Sequence, residues 1–598
     1  MVNVKNLFGM AVMATALVGC SSNDNLAPDG KDNVGKAGTA YAKFTIQLPT
    51  VSGTRAVDPN TGAEFNGGTA DEYAVNDAQL VIFQKTADSD GEGDYKFVET
   101  VNIGNLEPWN NQTPANQGVT RYANITAKLE NVDINDSGDR YYALIILNNK
   151  DQSKVTLPTS GTSVTYSTWN GAAIANAAAF LSTSDGFYMS NAPLLKSGEP
   201  QTLVPIKGVY STKAEAQNKP ATTVYVERGM AKVTIGSASF ESKPVDATSS
   251  STIYSGDKVQ ITNWTLDVMN KSTYPVHTTT GLTDKFTTIW STDRFYAGAD
   301  PQRVYWGVDP NYSMTSLSDV DADVDACKAQ FYLLDREGNT YNGVTESTVT
   351  WADQAKPLYC LENTFDIDNM KQGQTTRVVF KATYTPSALA EATAAADKTF
   401  FMIGNNPKIW TKANLEQQIA NKAKELLNTT GSVTATISGD LLKGGSHLLN
   451  TDNVTIKEGT VAKNDDINFA KLNTKLGLNN TEMYVNNTPK VGIKTYEKGE
   501  CYYIARIKHF NELTPWPSLS GSRETYGINN DANNALFLGR YGVLRNNWYD
   551  LEVTKFSAPG YPDVPEVNPT DPDDEDTKFI NVEVKILDWA KRSQSIEL

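Results

Sequence analysis

Histidine is almost missing from this chain: three in 598 residues, at His277, His447 and His509. None stands at a metal-ligand spacing or in a setting like a catalytic triad. A Gly-rich phosphate loop is missing too. Gly67-Gly68 and Gly444-Gly445 are isolated pairs without the further Gly and the Lys-Ser/Thr that such a loop needs, and they read as turns. The expectation is a non-enzyme with no cofactor and no metal. Asp88-Ser89-Asp90-Gly91-Glu92-Gly93-Asp94 carries carboxylates but lacks the ligand register of a calcium loop, and reads as a solvated hairpin tip. Basic residues are short: 53 Lys and Arg against 69 Asp and Glu leave a net charge of -16. That excludes nucleic acid as a partner, which requires a basic face. Cysteine is scarce. Cys327, Cys360 and Cys501 are odd in number, so at most one internal disulfide can form, and buried thiols are the plain expectation. No stretch beyond the first twenty residues reaches the roughly eighteen apolar residues of a membrane helix.

What is present begins at the amino terminus. Lys5 supplies positive charge, and Leu7 to Val18 is almost wholly apolar. That run is too short to cross a ~30 Å hydrocarbon core, but it suits the apolar part of a secretory signal peptide. It ends in Leu17-Val18-Gly19-Cys20. This resembles a lipobox, where the cysteine thiol is acylated and the chain is cut just before it. Residues 1–19 are therefore expected to be a signal peptide, and Cys20 the lipidation site that holds a precursor to outer-membrane lipid. Ser, not Asp, follows Cys20, so no inner-membrane retention signal is read.

The rest of the chain favours strands. Charged residues make up 20% and hydrophobic ones 39%, and Val, Thr, Tyr and Phe are plentiful. Phe44, Ile46 and Leu48 alternate with Thr45 and Gln47, the pattern of a half-buried strand. A Ser/Gly/Thr loop then leads to Arg55-Ala56. Strands are expected over Ala78–Gln84, Tyr95–Val101, Tyr141–Leu147 and Gly186–Met189, the third covered on both faces because it is nearly all apolar. A second set is expected around Val224–Ile235, Val259–Asp267, Phe331–Leu334, Thr376–Tyr384, Tyr502–Lys508 and Trp548–Thr554. Two helices are expected. One is the Ala-rich Pro386–Asp397. The other carries Leu415, Ile419, Ala423 and Leu427 at helical spacing, with Asn414 as a cap. After Trp548–Thr554 comes an acidic, Pro-containing stretch to Asp576, expected to be extended and solvated. It leads to a strong strand. Ile580, Val582, Val584 and Ile586 share one face, Asn581, Glu583 and Lys585 the other, and Trp589 follows. Such a strand on a leash either folds back as an edge strand of its own domain or enters a neighbouring molecule's sheet.

Several segments, in order along the chain, resemble the Bacteroidales-type major fimbrial subunits, the fimbrillins, and among them the short-fimbria type. They are Cys20, the strand and loop ending at Arg55-Ala56, Tyr141–Asn148, Val226-Glu227-Arg228-Gly229-Met230-Ala231-Lys232-Val233, Tyr359-Cys360-Leu361-Glu362-Asn363-Thr364, Val543-Leu544-Arg545-Asn546-Asn547-Trp548-Tyr549, and Val582-Glu583-Val584 with Trp589. Long stretches such as 245–330 and 430–495 do not match. The resemblance implies an all-β fold of two transthyretin-like Greek-key β-sandwich domains, 56–222 and 223–556. A lipidated tether and removable strand (20–55) would precede them, and an acidic linker with a donor strand (557–598) would follow. It also implies a function. A trypsin-like, arginine-specific protease cuts between Arg55 and Ala56, the Phe44-Ile46-Leu48 strand leaves, and a neighbour's Ile580–Trp589 strand fills the groove. Identical subunits would join head to tail into a stalk, with anchor and tip subunits as further partners. Other functional readings are a surface glycan-binding lipoprotein and a fimbrial tip adhesin; a tip needs no donor strand.

Replacing the thiol tests the leader directly. Cys20→Ala abolishes lipid labelling and globomycin-sensitive processing, whereas normal labelling of the variant contradicts a lipobox.

Overall fold

The computed structural model describes residues 39–48 and 68–587, apart from several internal stretches of which 510–538 and 283–295 are the longest. Cys20, Arg55, Ala56 and Trp589 lie outside the described residues. The fold is mainly β.

The first strand, β1 (Ala40–Leu48), forms where the alternation predicts it. Ala40, Ala42, Phe44, Ile46 and Leu48 are buried, and the residues between them are half-buried. A one-turn helix, α1 (Ala70–Tyr73), precedes β2 (Ala78–Gln84), β3 (Lys96–Asn102), β4 (Arg121–Leu129), β5 (Tyr141–Leu147), β6 (Met189–Asn191) and β7 (Thr222–Arg228). These strands make one sheet in the order β3-β2-β5-β6-β7-β1-β4. At its centre it is covered on both faces. Ala143, Ile145 and Leu147 of β5 join one core with Phe44 and Ile46, while Leu144 and Ile146 join another with Trp169 and Phe180. The unbroken apolar run of β5 has this cause: neither side of the strand meets water.

Beyond Gly229 the chain enters two further sheets. One has the order β10-β8-β13-β14, from β8 (Met230–Ile235), β10 (Leu358–Leu361), β13 (Trp548–Phe556) and β14 (Ile580–Leu587). The other contains β9 (Lys258–Asp267), β11 (Arg377–Thr385) and β12 (Glu500–Arg506), neighbours in that order. Val233, Leu551 and Val553 of the first pack with Val259, Trp264, Phe380 and Tyr503 of the second in one core, as in a sandwich. Gly229 is required at the passage between β7 and β8, because a Cβ there would lie 2.5 Å from the Phe180 ring.

A fourth core was not foreseen. Helix α2 (Lys412–Leu427) buries Leu415, Ile419 and Ala423 against Ile437, Val454, Ile456 and Ile493. This lobe accounts for the unmatched stretch 430–495. Its cap differs from expectation: the Thr411 hydroxyl accepts the Asn414 N–H at 3.2 Å, so Asn414 is the receiver of the cap and not its source. The helix expected over Pro386–Asp397 is described only as Ser387–Ala390. The three cysteines are buried and form no disulfide with one another.

Two carboxylates of the Asp88–Asp94 loop accept backbone N–H groups, Asp90 locally and Glu92 from a distant segment. Asp90 takes those of Thr86 (3.0 Å) and Ala87 (2.8 Å), and Glu92 those of Thr202 (2.9 Å) and Leu203 (2.5 Å). Burial nonetheless pushes Glu92 up to about 7, and Asp309 likewise to about 7. In both, the folded value exceeds the ordinary one, so the native state holds the proton more tightly. The stability they contribute is complete below the ordinary carboxylate range and is lost as pH rises through about 7. The melting temperature therefore falls between about pH 4.5 and about pH 7.5, and Asp309→Asn shrinks that fall. A flat profile in the wild type contradicts this.

Candidate assembly site

β1 occupies an interior position of its sheet although it is the chain's first described strand. It pairs antiparallel with β4 along its whole length, from Ala40 opposite Leu129 to Leu48 opposite Arg121. On its other side Phe44 to Gln47 run parallel to Thr222 to Tyr225 of β7. Tyr41 adds a two-bond bridge to Tyr210 (2.8 and 2.9 Å), and the Thr45 hydroxyl donates to Asn124 Oδ1 at 2.7 Å. Among the described residues β4 pairs with no strand but β1. Residues 49–67, which hold Arg55 and Ala56, separate β1 from everything that follows. The site thus has a simple geometry: a nine-residue slot between β4 and β7, filled by a segment that enters from the amino terminus.

Backbone pairing, but not the side chains, is described for the terminal strand. β14 lies antiparallel to β13 at the end of its sheet, with Ile580 opposite Phe556, Val582 opposite Val553, Val584 opposite Leu551 and Ile586 opposite Tyr549. The four residues chosen from the alternation therefore face four buried positions of the partner strand. Glu583 stands opposite Glu552 in the same register, and like charges directly opposed weaken a pair.

The stretch between these strands corrects an expectation. Residues 557–569 and 571–573 are not a solvated leash. Tyr561 bridges Tyr502, Val564 is 2% exposed and Asp573 is fully buried.

Three of the segments that carried the family resemblance meet between the first sheet and the sandwich. The Arg228 guanidinium donates from Nε to the Glu72 carbonyl at 2.7 Å and reaches Asn546 Oδ1 at 3.4 Å from Nη1. Glu72 Oε1 accepts from Lys232 Nζ and from the Tyr359 hydroxyl, both at 2.7 Å. The Lys232 ammonium also sits 3.7 Å from the centre of the Trp548 ring. On the other face of β7, Glu227 pairs with His277 at 2.7 Å, and Arg545 pairs with Glu362 at 3.1 Å. Burial alone would raise the Glu72 carboxyl, but Lys232 and Tyr359 outweigh it and hold it below the usual range. Burial lowers Arg228 to about 10 and lowers Lys232 as well.

Glu72 was missed by sequence reasoning. Its one local signal is the spacing Thr69-x-x-Glu72 of a capping box, and the Thr69 N–H does donate to Glu72 Oε2 at 3.0 Å. Nothing local marks its long-range partners. The next residue, Tyr73, receives the Arg121 guanidinium over its ring at 4.2 Å. Arg121 is opposite Leu48 in β4. The helix that follows the Arg55 segment therefore touches both the slot and the sandwich.

Residues 522–595 match the family model described as "Major fimbrial subunit protein type IV, Fimbrillin, C-terminal". A comparison with curated proteins returned no match. Among solved structures, the chain is similar to one described as a cell adhesion protein from Parabacteroides distasonis, with 12% identity, 93% of this chain and 99% of that chain covered, and a TM-score of 0.35. A fimbrilin from Porphyromonas gingivalis gives 10% identity, 92% and 99% coverage and a TM-score of 0.32. A C-terminally truncated tip fimbrial protein from Porphyromonas gingivalis gives 10% identity, 92% and 100% coverage and a TM-score of 0.25.

Removing the buried carboxylate tests the junction. Glu72→Ala leaves Lys232 buried without its partner and lowers unfolding stability by roughly 3–5 kcal/mol, read from urea titration. A loss below about 1 kcal/mol would mean that the pair behaves like an exposed one. Residues 522–595 are thus similar to the fimbrillin C-terminal segment, which adds to the resemblance that the motifs carry.

Proposed function

We propose that this chain is the stalk subunit of a surface fimbrium, polymerised by exchange of strands and serving adhesion or biofilm formation. It is exported as a lipoprotein acylated on Cys20 and reaches the outer membrane. An arginine-specific, trypsin-like protease cuts between Arg55 and Ala56. β1 then leaves, and the terminal strand of the next subunit enters between β4 and β7.

The observation that carries this reading is the position of β1. It is an interior strand, yet the rest of the chain reaches it only through the arginine-containing stretch 49–67. Once that stretch is cut, only non-covalent contacts hold β1. Its departure would strip β4 of its strand partner and expose the apolar cores around Phe44 and Ile46. An open sheet edge above an apolar slot is unstable in water. A donor that runs antiparallel to β4 and parallel to β7, as β1 does, restores both ladders. The terminal strand has reason to move, because among the described residues β14 has a strand on one side at home and would have one on each side in the slot. Ile580, Val582, Val584 and Ile586 supply four apolar residues at period two, each contributing roughly 1.5–3 kcal/mol when buried. The contact is head to tail and does not close, so it yields a filament.

Pairing of β14 with β13 favours a second reading, in which the terminal strand belongs permanently to its own domain. Gels after trypsin activation separate the two. The wild type gives a heat-resistant ladder, and Arg55→Ala stays an uncut monomer. Val582→Asp and a chain ending at Asp576 remain soluble, folded monomers, while Glu583→Ala polymerises normally. A ladder from the chain ending at Asp576 overturns the donor assignment. Unfolding of that chain by circular dichroism establishes the second reading instead.

A further inference from the structure

The acidic stretch that follows β13 is bound at points from Ala558 to Asp573. Tyr561 and Tyr502 exchange two backbone hydrogen bonds of 2.8 Å. The Tyr503 and Tyr496 hydroxyls donate to the carbonyls of Ala558 (3.0 Å) and Gly560 (2.9 Å). Val564 packs with Val379, Tyr502 and Ile504, and its N–H donates to the Arg336 carbonyl at 3.0 Å. Three arginines meet the strap in succession. Arg336 pairs with Asp563 (Nε–Oδ2 3.0 Å), Arg377 donates to the Pro565 carbonyl (2.5 Å), and Arg506 to the Asp573 carbonyl (2.6 Å).

The far end is held as firmly as the near one. The Asp573 N–H donates to the Met370 carbonyl at 3.1 Å, and its carboxylate accepts from the Thr375 hydroxyl at 3.1 Å. Pro569 lies so close to Gly373 that a Cβ on Gly373 would stand 2.9 Å from the Pro569 Cα. The receiving surface is thus shaped for the strap as well as charged for it.

This arrangement has a consequence for reach. Six residues, 574–579, separate Asp573 from Ile580. Fully extended, the seven steps from Asp573 to Ile580 span at most about 25 Å. Were the strap to peel away, the 24 steps from Phe556 would span about 80 Å.

We propose that residues 557–573 stay bound to their own subunit when the terminal strand leaves, so that the strap acts as a fixed arm. The donor strand then starts from Asp573, and the slot of the next copy of this chain must lie within reach of those six residues. This rests on the donor-strand reading. It adds that the joint between subunits is short and stiff, and that Arg336, Arg377, Arg506 and Gly373 set it.

Hydrogen exchange tests this on the full chain without any substitution, with trypsin-activated monomer compared with polymer. The amides of Tyr561, Val564 and Asp573 are as protected in the polymer as in the monomer. A second measurement uses an insertion of twelve Gly/Ser residues between Asp573 and Ile580, which leaves the strap untouched. The insertion variant still gives the ladder, but electron micrographs show filaments that bend more and repeat less regularly than wild type. Loss of protection at those three amides, with the ladder intact, overturns the fixed arm and leaves donor-strand exchange standing. Insertion filaments as stiff and regular as wild type overturn it too. Absence of a ladder from the activated wild type overturns both.

Discussion

A single strand keeps the first sheet whole. β1 supplies the hydrogen-bonding partner of β4 along nine residues and of β7 along four. It also fills the apolar face between them with Ala40, Ala42, Phe44, Ile46 and Leu48. Backbone N–H and C=O groups cannot be left unpaired next to a dry core, so whatever occupies the slot must be a strand of the same polarity and alternation. The proposed exchange respects that constraint. It replaces one strand by another, and the sheet is never left open in the finished filament.

Three of the segments that resemble the fimbrillins meet at one buried junction. Glu227-Arg228-Gly229, Tyr359 with Glu362, and Arg545-Asn546 with Trp548 converge where the chain passes from the first sheet to the sandwich. Their charges are buried and paired across long separations: Glu72 with Lys232, Glu362 with Arg545. Removing one member of such a pair strands the other in a dry environment, so the members constrain one another strongly. Gly229 is fixed by space, since Phe180 occupies the place of its side chain. Such a junction suits the proposed assembly, in which the slot lies in one part of the subunit and the donor strand in another.

Local pattern made much of this legible. The alternation of β1, the unbroken apolar run of β5 and the Leu415-Ile419-Ala423 stripe of α2 each reported their own burial. The terminal strand was visible through the alternation from Ile580 to Ile586, but its pairing with β13 was not, because register depends on the partner. The helix cap was placed three residues late, since Thr411 and Asn414 are both competent caps and only the backbone decides. The strap was misread for a deeper reason. Acidic residues and prolines ordinarily mean solvation, and the arginines that reverse this, Arg336, Arg377 and Arg506, lie far away in the chain. The lobe built on α2 escaped notice because its strands are short and its core assembles from Phe401 to Ile493.

In the proposed assembly the slot between β4 and β7 holds β1 at first and a neighbour's terminal strand afterwards. A cryo-electron microscopy map of the trypsin-activated filament, at a resolution that distinguishes side chains, tests it most directly. The account predicts density for Ile580–Leu587 of the adjoining subunit in the slot, antiparallel to β4 and parallel to β7, with β1 gone. Residues 40–48 still in the slot, or β14 still paired with β13 of its own subunit, would contradict it.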